Sequence, residues 1–157
     1  MRRTLFILLG IVLLCSCKGN LVDDERTFDN NIWNKFTPEE FDVNVTNIED
    51  YYNIDVTAAI DTAVYRYNTL PMLIKLDSPN GELRSFYAEL PFVENGRPRG
   101  EMHDGYRVAD RRLRAFFSFN SIGTHHMTVS QTTSQYDLEG IHSIHVTISK
   151  ADLKYEF

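Results

Sequence analysis

From Ile32 onward the apolar residues of this chain recur at every second position and not at every third or fourth. Phe41, Val43 and Val45 alternate with Asp42, Asn44 and Thr46, and Ile54, Val56 and Ala58 alternate with Asp55, Thr57 and Ala59. Successive side chains of an extended strand point to opposite faces, so this period predicts strands buried on one face. Further runs at Pro71–Leu76, Leu83–Leu90, Leu113–Phe119, His126–Thr132 and Ile141–Ser149 read the same way; in the last, Ile144, Val146 and Ile148 share a face. Between them lie Ser78-Pro79-Asn80-Gly81, Glu94-Asn95-Gly96 and Asp104-Gly105, each with a residue that tolerates positive φ and so predicts a turn. Turns spaced at about 8–12 residues imply antiparallel neighbours. No stretch carries a long helical period, although Thr37-Pro38-Glu39-Glu40 is expected to make one helical turn, with threonine as cap and proline at its first position. The expected fold is all-β: an antiparallel two-sheet β-sandwich of about 7–9 strands, jelly-roll or immunoglobulin-like, with a barrel as the alternative.

The N-terminus breaks this pattern. Met1-Arg2-Arg3 is followed by Leu5 to Leu14, apolar apart from Gly10, a run too short for a membrane span of about 20 residues but matched to a signal peptide. It ends in Leu14-Cys15-Ser16-Cys17, which resembles the lipobox of bacterial lipoproteins, with leucine at −3, small residues next, and a cysteine that receives lipid. The expected division is 1–16 lipoprotein signal peptide, 17–31 lipidated Cys17 and flexible tether, and 32–157 a single β-sandwich domain. Lys18–Asn31 is polar enough to read as a tether, and a domain of the remaining length buries about two thirds of its unfolded surface. Each buried methylene contributes about 0.8 kcal/mol, so two or more acyl chains hold a protein stably on a membrane. The membrane is thus the first expected partner, through lipid on Cys17. Lys18 stands where an aspartate would resemble an inner-membrane retention signal, which favours the outer membrane with the face left open. Asp23-Asp24-Glu25 loosely resembles the acidic tethers of surface-exported lipoproteins, and an exposed linker explains it better.

Composition removes several classes of function. Cys15 falls on the discarded side of the cut and Cys17 becomes a thioether, leaving no disulfide, cysteine nucleophile or cysteine ligand. Cleavage also removes Arg2 and Arg3, leaving 14 of the 16 basic residues against 22 acidic ones, a net charge of −8. Such a surface does not bind phosphate backbones, so nucleic acid is not an expected partner. Only Arg107, Arg111, Arg112 and Arg114 make a locally basic run, read either as a solvated turn and flanking strand or as a docking patch for an acidic partner or lipid headgroups. Four of five histidines fall late, at His125, His126, His142 and His145. Adjacent or three-apart histidines on a strand face opposite ways and do not converge on one ion; only a cross-strand pair such as His126 with His145 remains. Paired carboxylates lie in presumed tether or turn segments, and hydrolase, phosphate-loop and dinucleotide motifs are absent from the sequence. No cofactor, metal or catalytic residue is expected, and the chain is read as not an enzyme.

The aromatic residues offer a contact surface instead. Trp33, Tyr51, Tyr52, Tyr65, Tyr67 and Tyr106 are candidates for stacking sugar rings or a protein partner. Val64-Tyr65-Arg66-Tyr67-Asn68 is expected to be the most exposed loop, which makes Trp33, Tyr65, Arg66, Tyr67 and Asn68 the candidate partner-binding residues. The competing reading puts Phe86, Phe92, Phe116, Phe117, Phe119 and Trp33 inside the sandwich with the tyrosines at its margin.

Taken in order, these features form a recognisable series. A lipobox cysteine, Trp33, Phe41-Asp42-Val43, Asp50 before Tyr52-Asn53-Ile54, and Tyr65-Arg66-Tyr67-Asn68 come first. Pro79-Asn80-Gly81, Asn95-Gly96-Arg97 with Gly100, Gly123 before a strand ending in Gln131, and Leu138-Glu139-Gly140-Ile141 follow. The series resembles the gliding-motility lipoprotein GldH family of Bacteroidetes over nearly the whole mature chain. Ile60-Asp61, Pro98 and Thr132-Thr133-Ser134 depart from its pattern and mark a divergent member. The resemblance implies a non-enzymatic accessory or scaffold lipoprotein serving an envelope motility or secretion-type machinery, with another envelope protein as partner. The alternative from a different class is a lipid-anchored glycan-binding β-sandwich.

Overall fold

The structure, a computed structural model, describes residues 19–152, so the expected signal peptide and the lipidation of Cys17 lie outside the described residues. In chain order the strands are β1 (Asn20–Thr27), β2 (Ile32–Asn34), β3 (Glu39–Val45), β4 (Tyr51–Ile60), β5 (Thr69–Asp77), β6 (Leu83–Pro91) and β7 (Val93–Glu94). They continue with β8 (Arg97–Pro98), β9 (Glu101–His103), β10 (Tyr106–Ser118), β11 (Gly123–Gln131), β12 (Asp137–Glu139) and β13 (Ile141–Lys150). Nine of them form two antiparallel sheets, ordered β1-β13-β4-β10-β9 and β3-β11-β5-β6. The other four form the ribbons β2–β12 and β7–β8. The sheets face each other across one core without closing into a barrel, as the period-two pattern predicts.

Register explains the core. Residues directly opposite on antiparallel strands share a face, and Ile54, Val56 and Ala58 stand opposite Ile148, Val146 and Ile144. In the second sheet Met127 lies between Phe41 and Leu76, and Val129 opposite Ile74. All are buried, and each large side chain so placed contributes about 1.5–3 kcal/mol. The turns follow their local chemistry. Asn95-Gly96 (φ +52° and +72°) joins β7 to β8, and Asp104-Gly105 (φ +48° and +85°) joins β9 to β10. Both are two-residue connections with positive φ throughout, as a hairpin with the right-handed twist requires.

Two expectations are corrected. Residues 20–27 are not tether: they form β1, paired with β13 from Asn20↔Ser149 to Thr27↔Ser143. Backbone pairing and polar cross-strand contacts such as Asp23–His145 at 2.6 Å hold an edge strand with only Val22 fully buried, which is why its hydrophobic signal is weak. No helical turn forms at 37–40; Glu39 and Glu40 pair with Val129 and Thr128 in the β3–β11 ladder, and one isolated turn cannot compete with a strand's worth of ladder bonds. A short 3-10 turn forms instead at Asp29–Asn31. Finally, consecutive strands are neighbours in β5–β6, β7–β8 and β9–β10, whereas most other pairs, such as β1–β13 and β4–β13, join distant parts of the chain.

Candidate functional site

A sandwich of two open sheets has two lateral margins, and here they are finished differently. At one margin β1 lies against β3, and Arg26 seals the joint. Its guanidinium sits 4.6 Å from the Phe41 ring centroid and donates to the Glu40 carbonyl at 3.0 Å. Asp24 at 2.9 Å and Glu39 at 3.7 Å neutralise it. Burial raises the Glu39 pKa despite the lowering effect of Arg26, with Glu40 adding to the rise.

At the other margin β6 meets β10 without a ladder between them. β6 pairs only with β5, and β9 covers β10 only from Tyr106 to Val108, so among the described residues no strand pairs the free sides of β6 and of β10 beyond Val108. Within this stretch β10 bulges twice against β4, between Arg112 and Arg114 and between Arg114 and Phe117. Each bulge inserts a residue and resets which side chains face inward. Phe116 sits in the second with φ +52°, a conformation that strains a bulky residue.

Ordinary alternation turns Arg111 inward, and the first bulge turns Arg114 to the same face. Arg111, Arg114 and Phe117 stand opposite Val56, Ile54 and Tyr52, and therefore share their inward face. Arg84 on β6, opposite buried Leu76, also faces inward. The two strands then interlock: Arg114 lies 4.0 Å over the Phe86 ring of β6, and Arg84 lies 4.6 Å over the Phe117 ring of β10. Across the same seam Arg84 donates to the Ser118 carbonyl and Arg111 to the Glu89 carbonyl, each at 2.9 Å. Arg112 faces outward in a two-pronged pair with Asp55, whose hydrogen bond raises the arginine pKa further.

The charge at this margin is unbalanced. Glu82 stands 3.7 Å from Arg84, close enough for an ion pair but not a hydrogen bond, and also accepts from Asn120. Nε and Nη2 of Arg84 are buried without hydrogen-bond partners. Among the described residues no carboxylate lies within 4.0 Å of Arg111 or Arg114. A shallow groove of about 380 Å³ runs between Tyr87–Glu89 and Arg111–Arg114 and is lined by Tyr87 (73% exposed), while Leu83 (59%) and Phe116 (53%) are open to solvent elsewhere on the same two strands. A wider depression of about 720 Å³ beside β9 carries Glu101 and Asp110, the opposite charge. The basic run was visible in the sequence; its partner Arg84 and the unpaired strand edges were not.

The aromatic candidates fall mostly inside. Trp33 is 1% exposed, stacked on Phe28 at 4.9 Å and donating Nε1–H to the Thr37 carbonyl. Tyr65 is 7% exposed, with its hydroxyl on the Thr69 carbonyl at 2.9 Å, and burial raises its pKa. The expected exposed loop is thus a structural knot. Gly140, at φ +83°, lets the Tyr65 backbone approach so closely that a Cβ there would stand 2.5 Å from the Tyr65 nitrogen. The Asn68 carbonyl accepts from Phe92 and Val93. Arg66 and Asn68 are exposed, and Tyr67 is half-buried near Ser134. Trp33 and Tyr65 are therefore withdrawn as contact residues. Tyr52 is also buried, and Tyr106 stacks on His142 at 4.0 Å. Phe116 lies outside the core, while Phe92 and Phe119 lie within it. A solvent-facing pair that the sequence did not flag, Phe36 and Tyr136, stacks at 5.5 Å.

Each late histidine has a partner of its own. His126 binds Asp42 at 2.7 Å on the second sheet and His145 binds Asp23 on the first, so the two do not meet. His142 bonds Asn31 at 2.8 Å. His125 is fully buried, with Nε2 donating to the Ser121 carbonyl at 2.8 Å. Among the described residues no cluster of three or more His, Cys, Asp or Glu side chains could hold a metal, and no helix is long and apolar enough to cross a membrane.

No curated protein and no solved structure matches the chain. The family model described as GldH lipoprotein does match it, over residues 20–148. The match opens with the first residue of β1 and reaches into β13, so it takes in both sandwich margins and the strand once read as tether. Together with the antiparallel sandwich, that match over most of the chain establishes that this protein belongs to the GldH lipoprotein family.

Proposed function

We propose that the protein is an outer-membrane lipoprotein, held by lipid on Cys17, that serves an envelope motility or secretion-type machinery by contact and without chemistry of its own. The carrying observation is the β6–β10 margin, where among the described residues inward Arg111 and Arg114 without carboxylate partners, two unpaired strand edges and exposed Leu83, Tyr87 and Phe116 coincide. Such a margin is suited to a partner protein, because contact areas combine apolar anchors with unpaired polar groups that only a partner can satisfy. Family membership supports the lipoprotein assignment and an envelope location. The test is crosslinking in intact cells followed by mass spectrometry, with protease shaving to assign the face. Recurrent crosslinks to one envelope protein support the reading, and crosslinks to none would end it. Cys17→Ala should release the protein into the soluble fraction with its fold intact.

A second reading, a glycan-binding module, draws on the exposed Phe36–Tyr136 stack. It requires sugar affinity in the micromolar to millimolar range that disappears in Phe36→Ala or Tyr136→Ala.

A further inference from the structure

The β6–β10 margin specifies more than a generic contact. We propose that it receives an extended acidic segment of another envelope protein, which adds to the free side of β6 as a strand and sets acidic side chains at alternate positions against Arg111 and Arg114. The proposal rests on the contact reading above and names the chemistry of the partner.

Backbone, charge and surface point to the same occupant. Among the described residues β6 is nine residues long and paired with a strand on one side only, so its other side presents backbone groups that an extended chain can complete, the Glu89 carbonyl that Arg111 holds excepted. A strand laid there extends the second sheet over the distal part of β10, whose arginines face that layer. Side chains on one face of a strand recur every second residue, so a segment acidic at alternate positions places its carboxylates toward Arg111 and Arg114 and its remaining side chains outward. Outward-facing Leu83 and Tyr87 on β6 then supply apolar cross-strand neighbours for those remaining side chains.

The arginines also guard this edge. An inward-pointing charge at a sheet edge repels apolar or basic strands. Arg84, with Nε and Nη2 buried and unpartnered, is such a charge. The same feature favours an acidic strand, so a guard against aggregation doubles as a selector for one partner chemistry. The opposite margin shows the balanced counterpart, since Arg26 there already has Asp24 and Glu39. An anionic lipid headgroup would satisfy the cations but leave the backbone of β6 unpaired.

The experiment uses the full lipidated protein in detergent and a labelled peptide matched to the nine residues of β6, alternating valine and glutamate. Its comparators are an isomer with the glutamates grouped at one end, a version N-methylated at alternate backbone amides, and phosphatidylglycerol vesicles. Fluorescence anisotropy should show both altered peptides binding on the order of tenfold more weakly than the alternating one. Arg111→Gln/Arg114→Gln should weaken the alternating peptide on the order of tenfold, whereas Arg112→Gln, on the outer face, should not. Equal binding of the alternating, grouped and N-methylated peptides to the native protein overturns the proposal, and that comparison holds even if the double variant fails to fold. Arginine-dependent binding of vesicles without peptide binding also overturns it, in favour of a lipid headgroup. Failure of the peptide alongside specific crosslinks elsewhere on the domain refutes this proposal and leaves the contact function standing.

Discussion

Arg26 and Arg84 occupy equivalent positions on opposite margins of the sandwich. Each lays its guanidinium 4.6 Å from an aromatic centroid of the facing sheet, Phe41 for one and Phe117 for the other. Each donates to a strand carbonyl, Glu40 at 3.0 Å or Ser118 at 2.9 Å. Only the carboxylates differ. Among the described residues Arg26 has Asp24 and Glu39 within ion-pair reach, while Arg84 has Glu82 alone and the neighbouring Arg111 and Arg114 have none. One cation–π seam is balanced where the sandwich is finished, and the other is left positive where two strand edges stay free. A domain with excess acid thus concentrates its unmatched arginines at one margin, which gives that margin a local positive potential.

Removing Asn20–Thr27 should have the largest effect on this comparison. The deletion strips the β13 ladder, Val22 and the Arg26 seam together, and should cost roughly 4 kcal/mol or more in a urea titration. An unchanged midpoint would mean that β1 is dispensable and would restore the tether reading. Next come the matched substitutions Arg26→Met and Arg84→Met. Losing Arg26 leaves the half-buried Glu39 without its counter-charge and should cost about 2 kcal/mol, whereas losing Arg84 removes a cation that faces only the exposed Glu82 and should fall within about 1 kcal/mol of neutral. The reverse ranking would break the contrast between the margins.

Phe116→Gly should stabilise by about 0.5 kcal/mol, because glycine accepts the left-handed backbone and the lost side chain is half in solvent. The smallest effect concerns Glu39. Its pKa is raised above 4.5 by burial in the folded state. Its contribution is therefore fully present below that value and is lost as pH rises through the folded pKa. Glu39→Gln should match the native protein near pH 4 and exceed it by about a few tenths of a kcal/mol near pH 7, read from paired thermal melts.

The features legible in the sequence are those governed by near neighbours. Asn95-Gly96 and Asp104-Gly105 announce their hairpins because positive φ is a local demand. The β3, β4 and β13 rows announce their buried faces because the period of a strand is two. Trp33 and Tyr65 were misplaced because amphipathic aromatics read the same whether they line a surface or donate a hydrogen bond inside a core. The inward direction of Arg114 was illegible for a different reason. The two β10 bulges reset the alternation, so counting by twos from Arg111 puts Arg114 on the wrong face.

By itself the sequence determined the signal-like N-terminus, the all-strand character, the antiparallel turns and the local excess of arginine on β10, since each is written within a few consecutive residues. Tertiary structure decided that β1 belongs to the domain, that Arg84 joins Arg111 and Arg114, and that among the described residues the margin holding them has no strand beside it. Those outcomes depend on which distant strands pair, and pairing energy is shared between segments more than a hundred residues apart in the chain, as in Asp23 and His145.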